Sequence, residues 1–236
     1  MIDVNVLLLA LEDFIPVFLN AVALWLLART CLHLDHRAGK YVVASLVLIA
    51  LGGLTKPTYK MTLALSDAAE NVAILDDLLF WFLAPGFVLL ATGLRGAYRA
   101  DRYEPARVSM AGFATASAVV VVALVFLAVG SGAWFVLLLA VATLGNLAAV
   151  AVLIRWTASQ NDRLAAMLYA ASLFIVFGLA WAAASLEQTI PVQWGEQLMS
   201  TASQALFLTA SLRLTRRLAQ PQEELPLTES RRQVGL

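Results

Sequence analysis

A row of polar side chains near the carboxyl end of the chain is the clearest candidate for a binding surface. The row recurs at intervals of four, three and four residues and consists of Gln193, Gln197, Ser200 and Gln204. This spacing places the side chains on one face of an α-helix, and Glu196 borders that face. Amides and hydroxyls donate and accept hydrogen bonds, so the row is typical of a helix that lines a polar pocket. The row stops at Phe207, which predicts a pocket that ends near the middle of the helix.

Ionisable side chains recur at one depth in several apolar segments. The groups that lie ~24–27 Å from the basic end of their segments, at ~1.5 Å per helical residue, are Glu12, Lys56, Asp77 and Glu196. Asp13, Lys60 and Asp76 lie close to the same layer. Because an isolated charge inside a bilayer is costly, these groups should pair or face water, and Lys56 is the expected partner of the carboxylates. The layer predicts either a structural set of salt bridges or a site for a solute or proton.

We expect contacts to a solute or ion to come from this layer, from the polar row and from an amide near the midplane. The predicted set is Glu12, Asn20, Lys56, Lys60, Asp76, Asp77, Glu196, Gln197, Ser200 and Gln204. Asn20, Asn146 and Gln204 each lie ~13.5 Å from a basic residue. At that depth their amides could bind a neutral solute or could join helices. Glu196 is the expected proton carrier if transport is coupled to protons.

The composition requires membrane helices to position these residues. The chain has 236 residues, of which 61% are hydrophobic and 14% charged, and its mean hydropathy is +0.81. A soluble domain carries roughly 25% charged residues, so a soluble enzyme, a nucleic-acid-binding domain and a disordered chain are all disfavoured. One cysteine and two histidines provide neither a disulfide nor a metal cluster. The last apolar segment has no lysine for a retinal Schiff base, and we expect no cofactor.

Seven apolar segments reach the roughly 20 residues needed to cross a bilayer. They lie at about 4–28, 41–63, 70–94, 107–130, 132–154, 164–186 and 192–213. They predict an all-α, seven-transmembrane-helix bundle over 1–218 and a flexible cytoplasmic tail over 219–236. All lysines and arginines except Lys56 and Lys60 fall on one side, which the positive-inside rule assigns to the cytoplasm, with the N-terminus outside. We expect a multi-pass protein of a bacterial inner membrane, and the oligomeric state stays open, a homo-oligomer included.

A shift of 126 residues superposes several features of the chain. The superposed pairs are Asn20 with Asn146, Arg29 with Arg155, and Glu70 with Glu196. They suggest two parallel three-helix units joined by the fourth helix, a 3+1+3 repeat, although alanine- and leucine-rich helices also align by chance. The layout resembles that of the SWEET and PQ-loop sugar transporters, but the first and fifth helices lack a proline–glutamine pair.

The sequence favours a transporter for a small polar solute or cation over a channel, because the polar row is interrupted. A seven-helix receptor or sensor that uses the same pocket is the first alternative. The second is an intramembrane lipid hydrolase, because Thr55-Lys56-Pro57 resembles a triplet of the lysoplasmalogenase-type hydrolases. That resemblance covers three residues and implies lipid hydrolysis. The chain has no Gly-x-Ser-x-Gly or His-Glu-x-x-His motif, so we expect a protein that is not an enzyme.

Overall fold

Helices account for all regular secondary structure in the part of the chain that the structure describes. This computed structural model describes residues 4–65, 69–104, 110–187 and 189–220, with the backbone alone at 4–6, 63–64 and 69–77. The helices are α1 (Val4–Glu12), α2 (Phe14–Leu34), α3 (His36–Leu65), α4 (Ala69–Asp101), α5 (Ala111–Ala128), α6 (Ala133–Ser159), α7 (Arg163–Ser185) and α8 (Ile190–Ala219).

Six spans within these helices are long and apolar enough to cross a membrane. They are Leu7–Leu34, His36–Thr62, Leu78–Asp101, Ala111–Ala128, Ala133–Ser159 and Arg163–Ser185. The first span joins α1 to α2 across the turn at Asp13. The chain is therefore a polytopic membrane protein. The seventh predicted span lies on α8, where the polar row and three arginines lower the hydropathy.

The helices extend farther at their basic ends than the apolar segments of the sequence do. α2 and α3 are separated by Asp35 alone, whose Oδ1 accepts a hydrogen bond of 2.8 Å from the Ala38 amide. The stretch between the first two predicted segments, 29–40, is therefore helical except at Asp35 and includes His33 and His36. Hydropathy falls where a helix leaves the hydrocarbon, but its backbone hydrogen bonding continues, so hydropathy underestimates helix length.

Six helices form a closed ring. They touch in the order α2, α3, α4, α6, α7 and α8, and α8 closes the ring by packing on α2. α5 lies outside the ring against α4 and α6, and α1 packs mainly on α3. Exposed apolar side chains on α5 include Phe113, Val121 and Val125, as expected for a helix that faces lipid.

Glycines allow close approach within this ring. A Cβ atom added at Gly93 of α4 would lie 2.7 Å from Val42 Cγ2 and 2.9 Å from the Ala38 carbonyl oxygen of α3. A Cβ atom at Gly145 of α6 would lie 2.9 Å from Phe87 Cβ of α4. Small residues at such contacts let helix backbones pack tightly in membranes, so α4 is held firmly between its two neighbours.

Side-chain hydrogen bonds join neighbouring helices at the basic end of the bundle. At the basic end, Asp162 accepts two hydrogen bonds of 3.0 Å from Arg213 of α8, one from Nε and one from Nη2. At the same end, Asp101 of α4 accepts hydrogen bonds from Trp156 Nε1 at 3.0 Å and Gln160 Nε2 at 2.8 Å. The ionisable layer predicted from the sequence lies toward the opposite end.

Candidate functional site

The ring encloses a cavity of about 540 Å³. All six ring helices contribute to its wall, and the volume lies within the roughly 300–1,000 Å³ of small-molecule sites. Toward the basic end the cavity stops at Leu24, Leu90, Leu153 and Phe207. These side chains belong to the large buried core that fills the basic half of the ring. The cavity is therefore closed on that side by packed apolar residues.

Most of the described residues in the predicted site lie on the cavity wall. The predicted residues on the wall are Asn20, Lys56, Glu196, Gln197, Ser200 and Gln204. Three further polar residues, absent from the predicted set, are Asp13, Thr143 and Asn146. The depth of Asn146 had marked it as a candidate, and Thr143 lies three residues earlier on the same helical face. Sequence spacing therefore contained a signal for both.

Two predicted residues are bonded elsewhere and are not among the wall residues of the described chain. Glu12 Oε1 accepts a hydrogen bond of 2.6 Å from Thr201 Oγ1 of α8. The other oxygen, Glu12 Oε2, is buried and has no hydrogen-bond partner among the described residues. Lys60 Nζ lies 2.6 Å from Asp13 Oδ2.

The structure thus pairs Asp13 with Lys60 and not with Lys56. Lys56 lies one turn closer to the centre of α3, lines the cavity and makes no ion pair with a described residue. Sequence spacing could not distinguish these two lysines, because they share one face of α3. Asp76 and Asp77 belong to α4, but their side chains are outside the described part of the structure.

The polar side chains of α8 differ in their hydrogen bonding. Those that face neighbouring helices are bonded: Thr201 to Glu12 at 2.6 Å, Ser203 to Ser172 at 3.0 Å and Ser211 to Tyr169 at 2.9 Å. Three of those that face the cavity, Gln197, Ser200 and Gln204, make no side-chain hydrogen bond to a described residue. Asn20 of α2 and Asn146 of α6 also line the cavity and make no side-chain hydrogen bond to a described residue. The unbonded groups can therefore hydrogen-bond water or a ligand.

Charge is confined to one part of the cavity. Asp13, Lys56 and Glu196 line it toward the end opposite to the basic end, and Lys60 offsets the charge of Asp13. The deeper wall carries the neutral groups of Asn20, Asn146 and Gln204 and the apolar residues of the floor. Across the described ranges, no group of three His, Cys, Asp or Glu side chains could hold a metal ion.

Asp162 forms a second polar cluster, at the basic end and outside the membrane spans. Burial of this carboxyl tends to raise its pKa, but hydrogen bonds from Arg213 and from the Ala165 amide and the charges of Arg213 and Arg217 outweigh burial. The pKa of Asp162 is therefore lowered. The carboxylate also caps α7, because its Oδ1 accepts a hydrogen bond of 3.0 Å from the Ala165 amide. The residues of this cluster do not line the cavity.

Comparison with known proteins assigns this chain to no family: no family model, curated protein or solved structure matches it. The function of the cavity therefore has to follow from the side chains that line it. Those side chains offer hydrogen bonds in the deep part and charges near the opposite end.

Proposed function

We propose that the chain is a membrane transporter that passes a small polar solute through the central cavity. The observation that carries the proposal is the group of wall amides and hydroxyls that bond no described residue. Polar groups that only join helices would be bonded to their neighbours, as Ser203 and Ser211 are. Unsatisfied polar groups are costly in an apolar environment, so these side chains are best explained by water or a solute in the cavity.

The proposal includes α8 as a seventh membrane-spanning helix. α8 has 30 residues, which at 1.5 Å per residue gives about 45 Å, enough to cross a bilayer. Its polar face points into the cavity, so the low hydropathy of this helix does not require polar contact with lipid. The basic end is then cytoplasmic and the N-terminus is outside, in accordance with the positive-inside rule. We place the protein in a bacterial inner membrane.

The proposal also includes a 3+1+3 arrangement. α2, α3 and α4 follow one another around the ring, and α6, α7 and α8 complete it in the same order. α5 lies outside the ring and joins the two units. Three helices reverse the direction of the chain, so a linking helix is needed to make the units parallel.

The closed floor distinguishes a transporter from a channel. Phe207 and Leu24 end the cavity above a packed core, so a solute can pass only if this floor opens. The cavity therefore corresponds to an outward-facing state, and α8, which carries both the polar row and Phe207, is the helix expected to move. A proton-coupled cycle would use Glu196, which lies on the wall.

The same closed floor favours a receptor or sensor as the second candidate function. A binding protein needs a pocket with one entrance and does not need a second one. Within the described ranges, no observation gives comparable support to lipid hydrolysis, since the side chains of Asp76 and Asp77 lie outside them. A direct assay of flux separates these classes.

The test uses the full chain in proteoliposomes and measures uptake of radiolabelled polar solutes and of Na⁺ and K⁺. A transporter gives flux above that of empty liposomes, and Glu196→Gln reduces it several-fold. Glu187→Gln is the matched control, because Glu187 is an exposed carboxylate between α7 and α8 that is not on the wall. Lipid turnover without flux would instead indicate a hydrolase. Stabilisation by a ligand without flux would indicate a sensor.

A further inference from the structure

The positions that line the cavity recur along the chain. All but one of the wall positions on α2 and its N-cap recur on α6 at an offset of 126: positions 13, 16, 17, 20 and 24. All but one of those on α3 recur on α7 at an offset of 127: positions 49, 50, 53 and 56. Every wall position on α4 recurs on α8 at an offset of 117, and the described part of α8 has no other wall position.

Two local hydrogen bonds repeat at the same offset as the α3 and α7 walls. Asp35 caps α3 through the Ala38 amide at 2.8 Å, and Asp162 caps α7 through the Ala165 amide at 3.0 Å. Thr30 donates to the Leu26 carbonyl and Thr157 to the Leu153 carbonyl, again 127 residues apart. The caps at Asp35 and Asp162 involve no wall residue, so they support the repeat independently of helical periodicity. The threonine bonds lie on α2 and α6, where the offset of the wall is 126, one residue less.

The smaller offset on the last pair of helices has a simple cause. α3 has 30 residues and α7 has 23, so the second unit is shorter, and this accounts for most of the drop from 127 to 117. The register of the wall thus pairs Leu79 with Glu196. The single offset used on the sequence had paired Glu196 with Glu70, because it allowed no change in helix length.

Asn20 and Asn146 stand out in this register. Among the wall pairs related by the three offsets, theirs is the pair in which both members are polar. In every other pair that contains a polar residue, the corresponding residue of the other unit is apolar, as Phe87 is for Gln204. Neither asparagine side chain bonds a described residue. An axis that relates the two units would therefore bring two equivalent, available amides to the same depth of the cavity.

We propose that Asn20 and Asn146 form a paired amide site for a small neutral solute that carries hydroxyl or amide groups. Each amide offers two donor hydrogens and an acceptor oxygen, which suits such groups. A bare cation fits less well, because the carboxylate of Asp13 lies seven residues before Asn20, or ~10 Å along the helix. Gln204 adds a third amide, and Phe87 provides an apolar surface. The site deepens the proposed function but requires only that the cavity be hydrated, not that the solute be transported.

The test is a thermal-shift measurement on the full chain in detergent, with glycerol, erythritol, xylitol and glucose as separate probes. A ligand that binds the folded state raises Tm, and we expect at least one probe to do so in the wild type. Asn20→Leu and Asn146→Leu should each weaken the apparent affinity by about tenfold, since each loses hydrogen bonds to the solute. Thr209→Val should keep the wild-type response, because Thr209 is exposed and bonds its own helix. Polyols also stabilise proteins by exclusion, but that effect persists in all variants.

Three results would overturn the amide site: no probe raises Tm, both asparagine variants keep the full shift, or only NaCl, KCl and tetramethylammonium chloride give a specific shift. Asn20→Gln and Asn146→Gln provide a folding control, because each keeps the amide and should retain part of the response. The flux assay separates this proposal from the proposed function. Solute binding without flux would support the amide site and contradict transport. Flux that both leucine variants preserve would support transport and contradict the amide site.

Discussion

A single carboxylate, Asp162, holds the basic end of α7 to that of α8. Its side chain is 3% exposed and receives hydrogen bonds from Arg213 at two atoms and from the Ala165 amide. Bidentate contacts of this kind between arginine and a carboxylate are among the stronger charged hydrogen bonds. Because these contacts lower the pKa of Asp162, the ionised form stabilises the fold at neutral pH.

Replacing Asp162 by Asn should lower Tm at pH 7. Asparagine keeps the helix cap but loses the charge, and because Arg213 is partly exposed we expect a loss of about 1–3 kcal/mol. A carboxyl with a lowered pKa stabilises fully above its unfolded pKa of ~3.9. That contribution disappears as the pH falls through the lower folded value. The gap in Tm between wild type and Asp162→Asn should therefore be constant above about pH 5 and narrow below about pH 4.

Glu104→Gln is the control for Asp162→Asn, since Glu104 is an exposed carboxylate whose contact with Arg102 is 3.8 Å long. Such contacts contribute little, so its Tm should follow that of the wild type across the pH range. An Asp162→Asn protein that matches the wild type at pH 7 would contradict the role given to this carboxylate.

At the scale of helices, the contact between α3 and α4 depends on Gly93. A methyl group at this position would meet Val42 Cγ2 at 2.7 Å and the Ala38 carbonyl oxygen at 2.9 Å. The carbonyl belongs to the backbone of α3 and cannot move without displacing that helix. This contact therefore fixes the distance between two walls of the cavity.

Gly93→Ala should destabilise the protein by about 1–3 kcal/mol, as overpacking does, and Tm in detergent measures the loss. Gly178→Ala on α7 is the matched control, because a Cβ there has no atom within 4 Å. Alanine is the better helix former, so this control should gain about 0.5–1 kcal/mol. Equal effects of the two substitutions would show that helix propensity, and not close packing, governs both positions.

The sequence predicts positions along a helix better than relations between helices. Hydropathy predicted seven spans, and six of them lie on helices that are long and apolar enough to cross a membrane. The spacing of Gln197, Ser200 and Gln204 predicted their common face. The pairing of Asp162 with Arg213 and that of Asp13 with Lys60, and not with Lys56, could not be predicted in this way. Both depend on how two helices slide and rotate against each other, and that register is set by packing contacts far apart in the chain.

At the scale of the whole molecule, the proposed transport requires water in the cavity. The ring of six helices brings polar groups of α2, α6 and α8 together around a space of about 540 Å³. A packed core closes that space toward the basic end. The ring therefore provides an outward-facing, hydrated chamber only if the polar face of α8 is wet and the basic end is cytoplasmic.

Thiol accessibility along α8 measures whether the cavity is hydrated and open to the outside. The chain has one cysteine, Cys31, which is completely buried, so the wild type is an unreactive background. Ser200→Cys places a thiol on the cavity wall. Leu198→Cys is the control at nearly the same depth, because Leu198 is 61% exposed and is not on the cavity wall. A membrane-impermeant methanethiosulfonate reagent is added outside intact cells, and total thiol is measured in denaturing detergent.

We predict that Ser200→Cys reacts from the outside while Leu198→Cys does not, because a thiol in hydrocarbon does not ionise to the reactive thiolate. Failure of Ser200→Cys to react from the outside, although its thiol is titratable after denaturation, would contradict the hydrated, outward-facing cavity.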